Sequence, residues 1–172
     1  MLADVAGRAR AASPLWAGAL RDRPAGAAIY GPRVDARFAL GLETIYEGYL
    51  VHYGRSRLFA PADRDMALLL GDYLYAHGLV HVAETGDVEA VSDLAELISL
   101  CSQLRAENAP GDGPLWAATA ALLGAGRGLD EPRAALRLHG DASPLDAAAR
   151  AAAGEQPVER ALAAHRGRFG VA

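Results

Sequence analysis

The segment from residue 61 to residue 108 constrains the fold most, because two long helical patterns in it are separated only by the turn TGD at residues 85–87. A connection this short makes the two helices antiparallel neighbours. The first helix starts near Pro61, ends before Gly86 and contains the run LLLGDYLYAHGLVHVA, which is apolar on nearly all sides. We therefore expect this helix to be buried on most of its faces.

The rest of the chain is also predicted to be helical, because starts and stops of helices recur and the alternation typical of strands does not. A helix from Asp35 as N-cap to Tyr53 precedes the two just described, and Asp87 caps the helix that reaches about Asn108. The sequence APGDGP then breaks the pattern at residues 109–114. Beyond it, shorter Ala-rich helices are predicted at residues 114–125, 131–139, 144–153 and 157–167.

These elements predict one all-α domain over residues 1–172. Residues 1–108 would form an antiparallel bundle of three long helices, and residues 109–172 a C-terminal extension of short helices. Ser13 and Ser143, each followed by Pro, are predicted N-caps. Arg21–Arg33, rich in Pro and Gly, is predicted to be a loop.

Composition restricts the class of partner. A net charge of −4 without a basic cluster argues against binding to nucleic acid. The most apolar stretch, residues 67–83, is short for a membrane span and contains Asp72, so we expect a buried helix that does not cross a membrane. The first residues, MLADVAGRARAAS, lack the uninterrupted apolar run of a signal peptide. The lone Cys101 fits a reducing cytoplasm, which is where we expect the protein.

Two groups of polar residues on the long helices are candidate metal ligands. His77, His81 and Glu84 share one helix face, and Glu43 and Glu47 lie four residues apart on the preceding helix. Two histidines at this spacing can bind one metal ion, so a metal-dependent helical enzyme is one hypothesis. A carboxylate site in a helical bundle uses Glu-x-x-His, whereas this chain has the reverse order. The alternative is core or partner-facing histidines, with the glutamates bonded to Arg or to Tyr hydroxyls.

Three further features of the long helices indicate packing or ligand contacts. Asp72 stands in an apolar run, so we expect it to be buried with a hydrogen bond or ion pair to a Tyr hydroxyl or an Arg. Gly71 and Gly78, one heptad apart, indicate close approach of a neighbouring helix or a ligand, because Gly inside a helix costs about 1 kcal/mol relative to Ala. Arg55 and Arg57 form a small basic spot that can hold a phosphate or remain solvated.

The sequence GDYLYAHGLVHVAETGDVEAVSDLAELISLCSQL resembles a helix pair of the trans-polyprenyl diphosphate synthases, which are all-α enzymes. In that family the preceding helix reads like Glu-Leu-Ile-His-x-x-x-Leu-x-His and enters an Asp-rich motif, Asp-Asp-x-x-Asp. Here it reads ETIYEGYLVHYGRSR, and Glu43, Ile45, Leu50 and His52 match. The Asp-rich motif falls on YGRSR, residues 53–57, so all three aspartates are absent. The resemblance covers about residues 36–107 and implies an isoprenoid-synthase-like bundle.

The absence of the three aspartates changes the chemistry that the resemblance implies. In the family those carboxylates hold the Mg²⁺ ions that bind the allylic diphosphate, and Arg cannot ligate a cation. We therefore expect a chain that is not an enzyme by itself and that carries no cofactor. It is similar to the non-catalytic small component of hexaprenyl or heptaprenyl diphosphate synthases, which pairs with a catalytic chain and helps set product length. The implied partner is a catalytic prenyl diphosphate synthase chain or a second copy, with residues 61–107 as the candidate interface.

Another hypothesis is a stand-alone lipid- or isoprenoid-binding bundle with a Tyr-rich apolar interior as its pocket. Asp72, Tyr73 and His77 are then the candidate ligand contacts on the apolar helix, and Arg55 and Arg57 those near the mouth of the pocket. The metal-dependent enzyme, using Glu43, Glu47, His77, His81 and Glu84, is the third hypothesis.

Overall fold

The computed structural model describes residues 1–126 and 128–169; within this part of the chain the regular secondary structure is helical, and one isolated β-bridge joins Leu20 to Phe59 in the loops. The prediction of an all-α protein is thus confirmed. A short 3₁₀ turn, Gly31–Arg33, precedes the long helices. The α-helices are α1 (Leu2–Ala12), α2 (Pro14–Gly18), α3 (Ala36–Tyr53), α4 (Arg64–Ala83), α5 (Val88–Ala106), α6 (Asp112–Leu122), α7 (Asp130–His139), α8 (Ser143–Ala153) and α9 (Glu155–Arg166).

Side-chain caps fix the start of the long helices. Asp35, Asp63 and Asp87 each accept a hydrogen bond from a free N–H in the first turn, as Ser13 does for α2. The prediction that Ser143 caps α8 is wrong. Ser143 is the first helical residue, and its N–H donates to the carboxylate of Asp141 at 2.9 Å, so the helix starts one residue earlier.

Helices α3 and α4 pack closely because each presents two glycines to the other. A Cβ atom added at Gly78 would lie 2.8 Å from the carbonyl oxygen of Gly41, and one added at Gly48 would lie 3.0 Å from the carbonyl oxygen of Gly71. Side chains larger than hydrogen would therefore force the two backbones apart. The prediction that Gly71 and Gly78 mark a close helix approach is confirmed, and the neighbour is α3.

Helix α4 is covered on one side only, so the prediction that it is buried on most faces is wrong. Its buried residues are Leu70, Gly71, Leu74, Gly78 and Val82. They face α3 and the core that α3 shares with α1 and α5. No described helix packs over the opposite side, where apolar residues remain exposed. Nor does any described helix have the length together with the apolar character needed to cross a membrane.

The short helices after residue 108 belong to the same core as the long ones. Helix α6 is buried along most of its length and packs against α5, α8 and α9. Leu115 and Trp116 have no exposed surface. One cluster of buried apolar residues runs from Ile29 in the first loop through α3, α5 and α6 to Leu162 on α9. The small Ala side chains of α6 and α8 allow this close packing.

Candidate functional site

Two carboxylates of α3, Glu43 and Glu47, are completely buried around the equally buried Arg57. Oε2 of Glu43 lies 2.6 Å from Nη1 of Arg57, and Oε2 of Glu47 lies 2.8 Å from Nε of Arg57. Two negative charges four residues apart on a helix repel each other, and the guanidinium between them reverses that effect. The interpretation that these glutamates bond to Arg is confirmed. We refer to Glu43, Glu47 and Arg57 as the buried ion triad.

The buried ion triad also shapes the two loops beside α3. Oε1 of Glu43 accepts the N–H groups of residues 29, 30 and 31 at 2.7–2.8 Å. Oε1 of Glu47 accepts the hydroxyl of Ser56 at 2.5 Å and the N–H groups of residues 57 and 58 at 2.8 Å. Burial lowers the pKa of Arg57, but the adjacent carboxylates outweigh burial and hold that pKa above its ordinary value. These bonds occupy the lone pairs through which the carboxylates would bind a cation.

The basic spot predicted at Arg55 and Arg57 is divided by the fold. Arg57 has no exposed surface, so its interpretation as a solvated arginine is wrong. Its burial follows from its bonds to the two carboxylates of α3. Arg55 is exposed, and its Nη2 donates to the carbonyl oxygen of Gly167 at 2.5 Å.

A second, partly buried polar network joins α3, α5, α6 and α9 and was not anticipated from the sequence. Oδ2 of Asp112 accepts hydrogen bonds from Nε2 of His165 at 3.0 Å, from the Tyr49 hydroxyl and from Arg105. Burial alone would raise the pKa of Asp112, but the bonds from His165 and Tyr49 and the charge of Arg105 hold it well below its ordinary value. Asp112 is therefore an ionised carboxylate at neutral pH.

The other ring nitrogen of His165 extends this network into the aromatic interior. The carboxylate of Asp112 can only accept, so Nε2 of His165 carries the donated proton. The other nitrogen, Nδ1, lies 3.2 Å from the hydroxyl of Tyr30 and 3.1 Å from that of Tyr46. Burial raises the pKa of both tyrosines, so they stay protonated. Trp116 fills the remaining space, with ring centroids 5.6 Å from Tyr30 and 4.8 Å from Tyr46. The Tyr-rich interior suggested as a lipid pocket is thus occupied by the protein's own side chains.

The candidate ligand contacts on α4 lie on different sides of the helix. Asp72 is 67% exposed, and its Oδ1 lies 3.2 Å from Nε2 of His52. The prediction of a buried Asp72 is wrong, because no described helix covers this side of α4. The ring of Tyr73 contacts that of His77 in a tilted arrangement, with ring centroids 4.3 Å apart, and that of Trp16 in the same way. Tyr73 and His77 line a crevice of about 20 Å³ beside α1, roughly the space of one water molecule, and Asp72 lies outside it.

The candidate metal ligands are likewise in separate groups. Nδ1 of His81 lies 3.2 Å from Oε2 of Glu84 on the surface of α4, and His77 is exposed one turn earlier. Glu43 and Glu47 belong to the buried ion triad. Within residues 1–126 and 128–169, no three or more His, Cys, Asp or Glu side chains are grouped so that they could hold a metal ion.

Several apolar side chains are exposed on the uncovered side of α4. Leu68, Leu69 and Val80 are 54%, 59% and 57% exposed, and Ala76 between them is exposed as well. We call Leu68, Leu69, Ala76 and Val80 the outer face of α4, and the exposed Asp72 lies among them, four residues from Leu68 and four from Ala76. Apolar side chains gathered on one side of a helix are typical of a surface that binds another protein. Sequence reasoning placed the candidate interface in this hairpin but expected these residues to be buried.

Comparisons with models of protein families, with curated proteins and with solved structures give no significant match. A proposal of function therefore rests on the sequence resemblance and on the contacts and exposed surfaces of this chain.

Proposed function

We propose that this chain is a non-catalytic helical subunit that pairs with a catalytic prenyl diphosphate synthase chain and influences the length of the isoprenoid product. The observation that carries the proposal is the outer face of α4, where three large apolar side chains are each more than half exposed. Leu68 and Leu69 lie just before the segment that begins with GDYL and resembles the synthases, and Ala76 and Val80 lie within that segment. An isoprenoid-synthase-like arrangement of α3, α4 and α5 is part of the proposal.

The energetics of the outer face favour a protein partner. Full burial of a Leu or Val side chain is worth about 1.5–3 kcal/mol, so covering the exposed halves of three such residues contributes roughly 3 kcal/mol. Arg64 and Glu84, both exposed, stand at opposite ends of α4. Asp72, 67% exposed and one helical turn from Leu68 and Ala76, adds a carboxylate within this face, with which a positive side chain of the partner would pair.

The chemistry at the motif position supports the non-catalytic part of the proposal. Arg57 stands where the family places a carboxylate, and its guanidinium is bound by Glu43 and Glu47. A guanidinium has donors only and cannot ligate Mg²⁺. The catalytic carboxylates would therefore come from the partner chain. We place this pair in the cytoplasm, where the free Cys101 would stay reduced.

Co-purification tests the proposal. The tagged full chain is expressed in its native host, captured under mild conditions, and the bound proteins are identified by mass spectrometry. We expect a catalytic prenyl diphosphate synthase chain in stoichiometric amount. When the purified pair is assayed, the product chain length should differ from that of the catalytic chain alone.

A matched pair of variants locates the interface. Leu69→Glu puts a charge in the centre of the outer face and should abolish capture of the synthase. Leu138→Glu on α7 changes a leucine that is even more exposed, at 71%, and should leave capture intact. The proposal is wrong if no synthase is captured, or if both variants behave alike. A homodimer that Leu69→Glu dissociates, formed without any synthase, would instead assign the face to self-association.

A further inference from the structure

Three arginines from distant parts of the chain line one surface depression. Arg33 follows the first loop, Arg160 lies on α9, and Arg168 follows α9. Small apolar residues of loop 27–29 and of α9 form the rest of its wall. The depression has a volume of about 140 Å³, which corresponds to roughly four or five water molecules at about 30 Å³ each. We call it the arginine depression.

The charges of these three arginines are not neutralised by carboxylates of the described residues. Arg57 and Arg166, their neighbours in space and in sequence, each form an ion pair, whereas Arg33, Arg160 and Arg168 form none within residues 1–126 and 128–169. This is notable in a chain with a net charge of −4. The nearest buried carboxylates, Glu43 and Glu47, are already bound to Arg57.

Backbone contacts hold two of the guanidinium groups in place. Nη2 of Arg168 donates to the carbonyl oxygen of Ala25 at 2.7 Å, and Nε of Arg33 donates to the carbonyl oxygen of Pro157 at 3.3 Å. The Arg168 guanidinium also lies directly on Gly26, where a side chain would overlap it. Each guanidinium has five N–H donors, so donors remain for a ligand after these bonds are made.

The buried Arg57 adds a further positive charge behind the arginine depression. Arg57 donates to the carbonyl oxygen of Ala27, which lines the wall, at 3.1 Å. Burial lowers the pKa of Arg168, and repulsion from Arg57 lowers it further. An anion bound between these groups would relieve the repulsion.

We propose that the arginine depression is a binding site for a phosphate or diphosphate group. Planar guanidinium groups pair with phosphate oxygens through two parallel hydrogen bonds, and three of them can surround such a group. The space accommodates one or two phosphoryl groups with bound water. The depression opens to solvent, so the remainder of a phosphate ester can extend outward. This site does not depend on the pairing proposed for the outer face of α4.

Calorimetric titration of the full chain with inorganic phosphate and pyrophosphate at constant ionic strength tests the site. Arg160 is exposed, and its side chain forms no hydrogen bond or ion pair with another described residue, so Arg160→Gln should fold normally. We expect this variant to bind pyrophosphate about tenfold more weakly, as the loss of one charge-assisted pair implies. Arg166→Gln is the matched control on the same helix. It removes one positive charge that pairs with Glu159 outside the depression, and it should change affinity less than twofold.

Two results would overturn the site: no pyrophosphate binding at millimolar concentration, or equal weakening by Arg160→Gln and Arg166→Gln, which would mean that only overall charge matters. Phenyl phosphate distinguishes the sources of the anion. Binding at least as tight as that of inorganic phosphate assigns the group to an ester, and binding of the inorganic ions alone assigns it to a free anion. Either pattern, with the Arg160→Gln loss, supports the arginine depression as an anion site.

Discussion

Nε2 of His165 lies 3.0 Å from Oδ2 of Asp112, and this partly buried hydrogen bond joins the last turn of α9 to the first turn of α6. His165 also contacts two tyrosine hydroxyls with its other nitrogen, so it satisfies polar groups from three separate elements. The imidazole thereby connects the C-terminal helices to α3 and to the loop before it.

We expect His165→Phe to destabilise the protein although the ring shape is kept. The substitution removes one of the three donors to Asp112 and leaves the hydroxyls of Tyr30 and Tyr46 without their partner, which costs about 2–4 kcal/mol in total. Urea unfolding followed by circular dichroism measures the loss. His139→Phe, at an exposed position at the end of α7, is the control and should change stability by less than about 0.5 kcal/mol. Equal effects of the two substitutions would contradict the role of His165.

The low pKa of Asp112 predicts acid sensitivity. Because the folded-state pKa lies below the ordinary Asp value of about 3.9, Asp112 stabilises the folded state at higher pH. That contribution is lost progressively as pH falls below about 5 and through the folded-state pKa. Urea midpoints measured from pH 7 to pH 3 should therefore fall less steeply for Asp112→Asn than for the unchanged protein. Identical slopes would show that Asp112 is not held ionised by its partners.

The buried ion triad predicts a large effect of Arg57→Met. Removing the guanidinium leaves Glu43 and Glu47 buried without a counter-charge, a situation that costs about 3–5 kcal/mol. Arg55→Met changes an exposed arginine two residues away, removes one surface hydrogen bond to the carbonyl oxygen of Gly167, and should cost about 1 kcal/mol or less. Both are compared by thermal unfolding at neutral pH.

A triple variant separates the charge effect from packing. When Glu43→Gln and Glu47→Gln are added to Arg57→Met, no unpaired charge remains, and the amide oxygens can still accept the loop N–H groups. Much of the lost stability should return. If the triple variant is less stable than Arg57→Met alone, the carboxylates contribute something other than pairing with the guanidinium.

The contact between α3 and α4 predicts opposite effects for two Gly→Ala substitutions. Gly78→Ala places a methyl group 2.8 Å from the Gly41 carbonyl oxygen and should cost about 1–3 kcal/mol by forcing the helices apart. Gly7→Ala in α1 has no neighbour within 4 Å and should stabilise by up to about 1 kcal/mol, since Ala favours a helix. Thermal unfolding measures the stability of both variants. If Gly78→Ala leaves the stability unchanged, the close contact between α3 and α4 is refuted.

The sequence by itself determined the features that depend on near neighbours. The start of α3 at Asp35 follows from a side chain that caps an N–H group two residues further on, and this was predictable. The glycines Gly71 and Gly78 similarly predicted a close helix approach, because glycine inside a helix has few other uses. The all-α class was predictable as well, because helical periodicity depends only on residues close together in the sequence.

Only the tertiary structure decided which surfaces are covered and which polar groups meet. An apolar helix such as α4 can be buried on all sides or on one, and the number of helices that pack against it is not encoded in its own pattern. Asp112 and His165 are 53 residues apart, and no spacing rule relates them. The burial of Arg57 likewise depends on where the loop returns to α3. These outcomes come from the packing of the whole chain, in which each buried polar group must find a partner wherever the fold brings one.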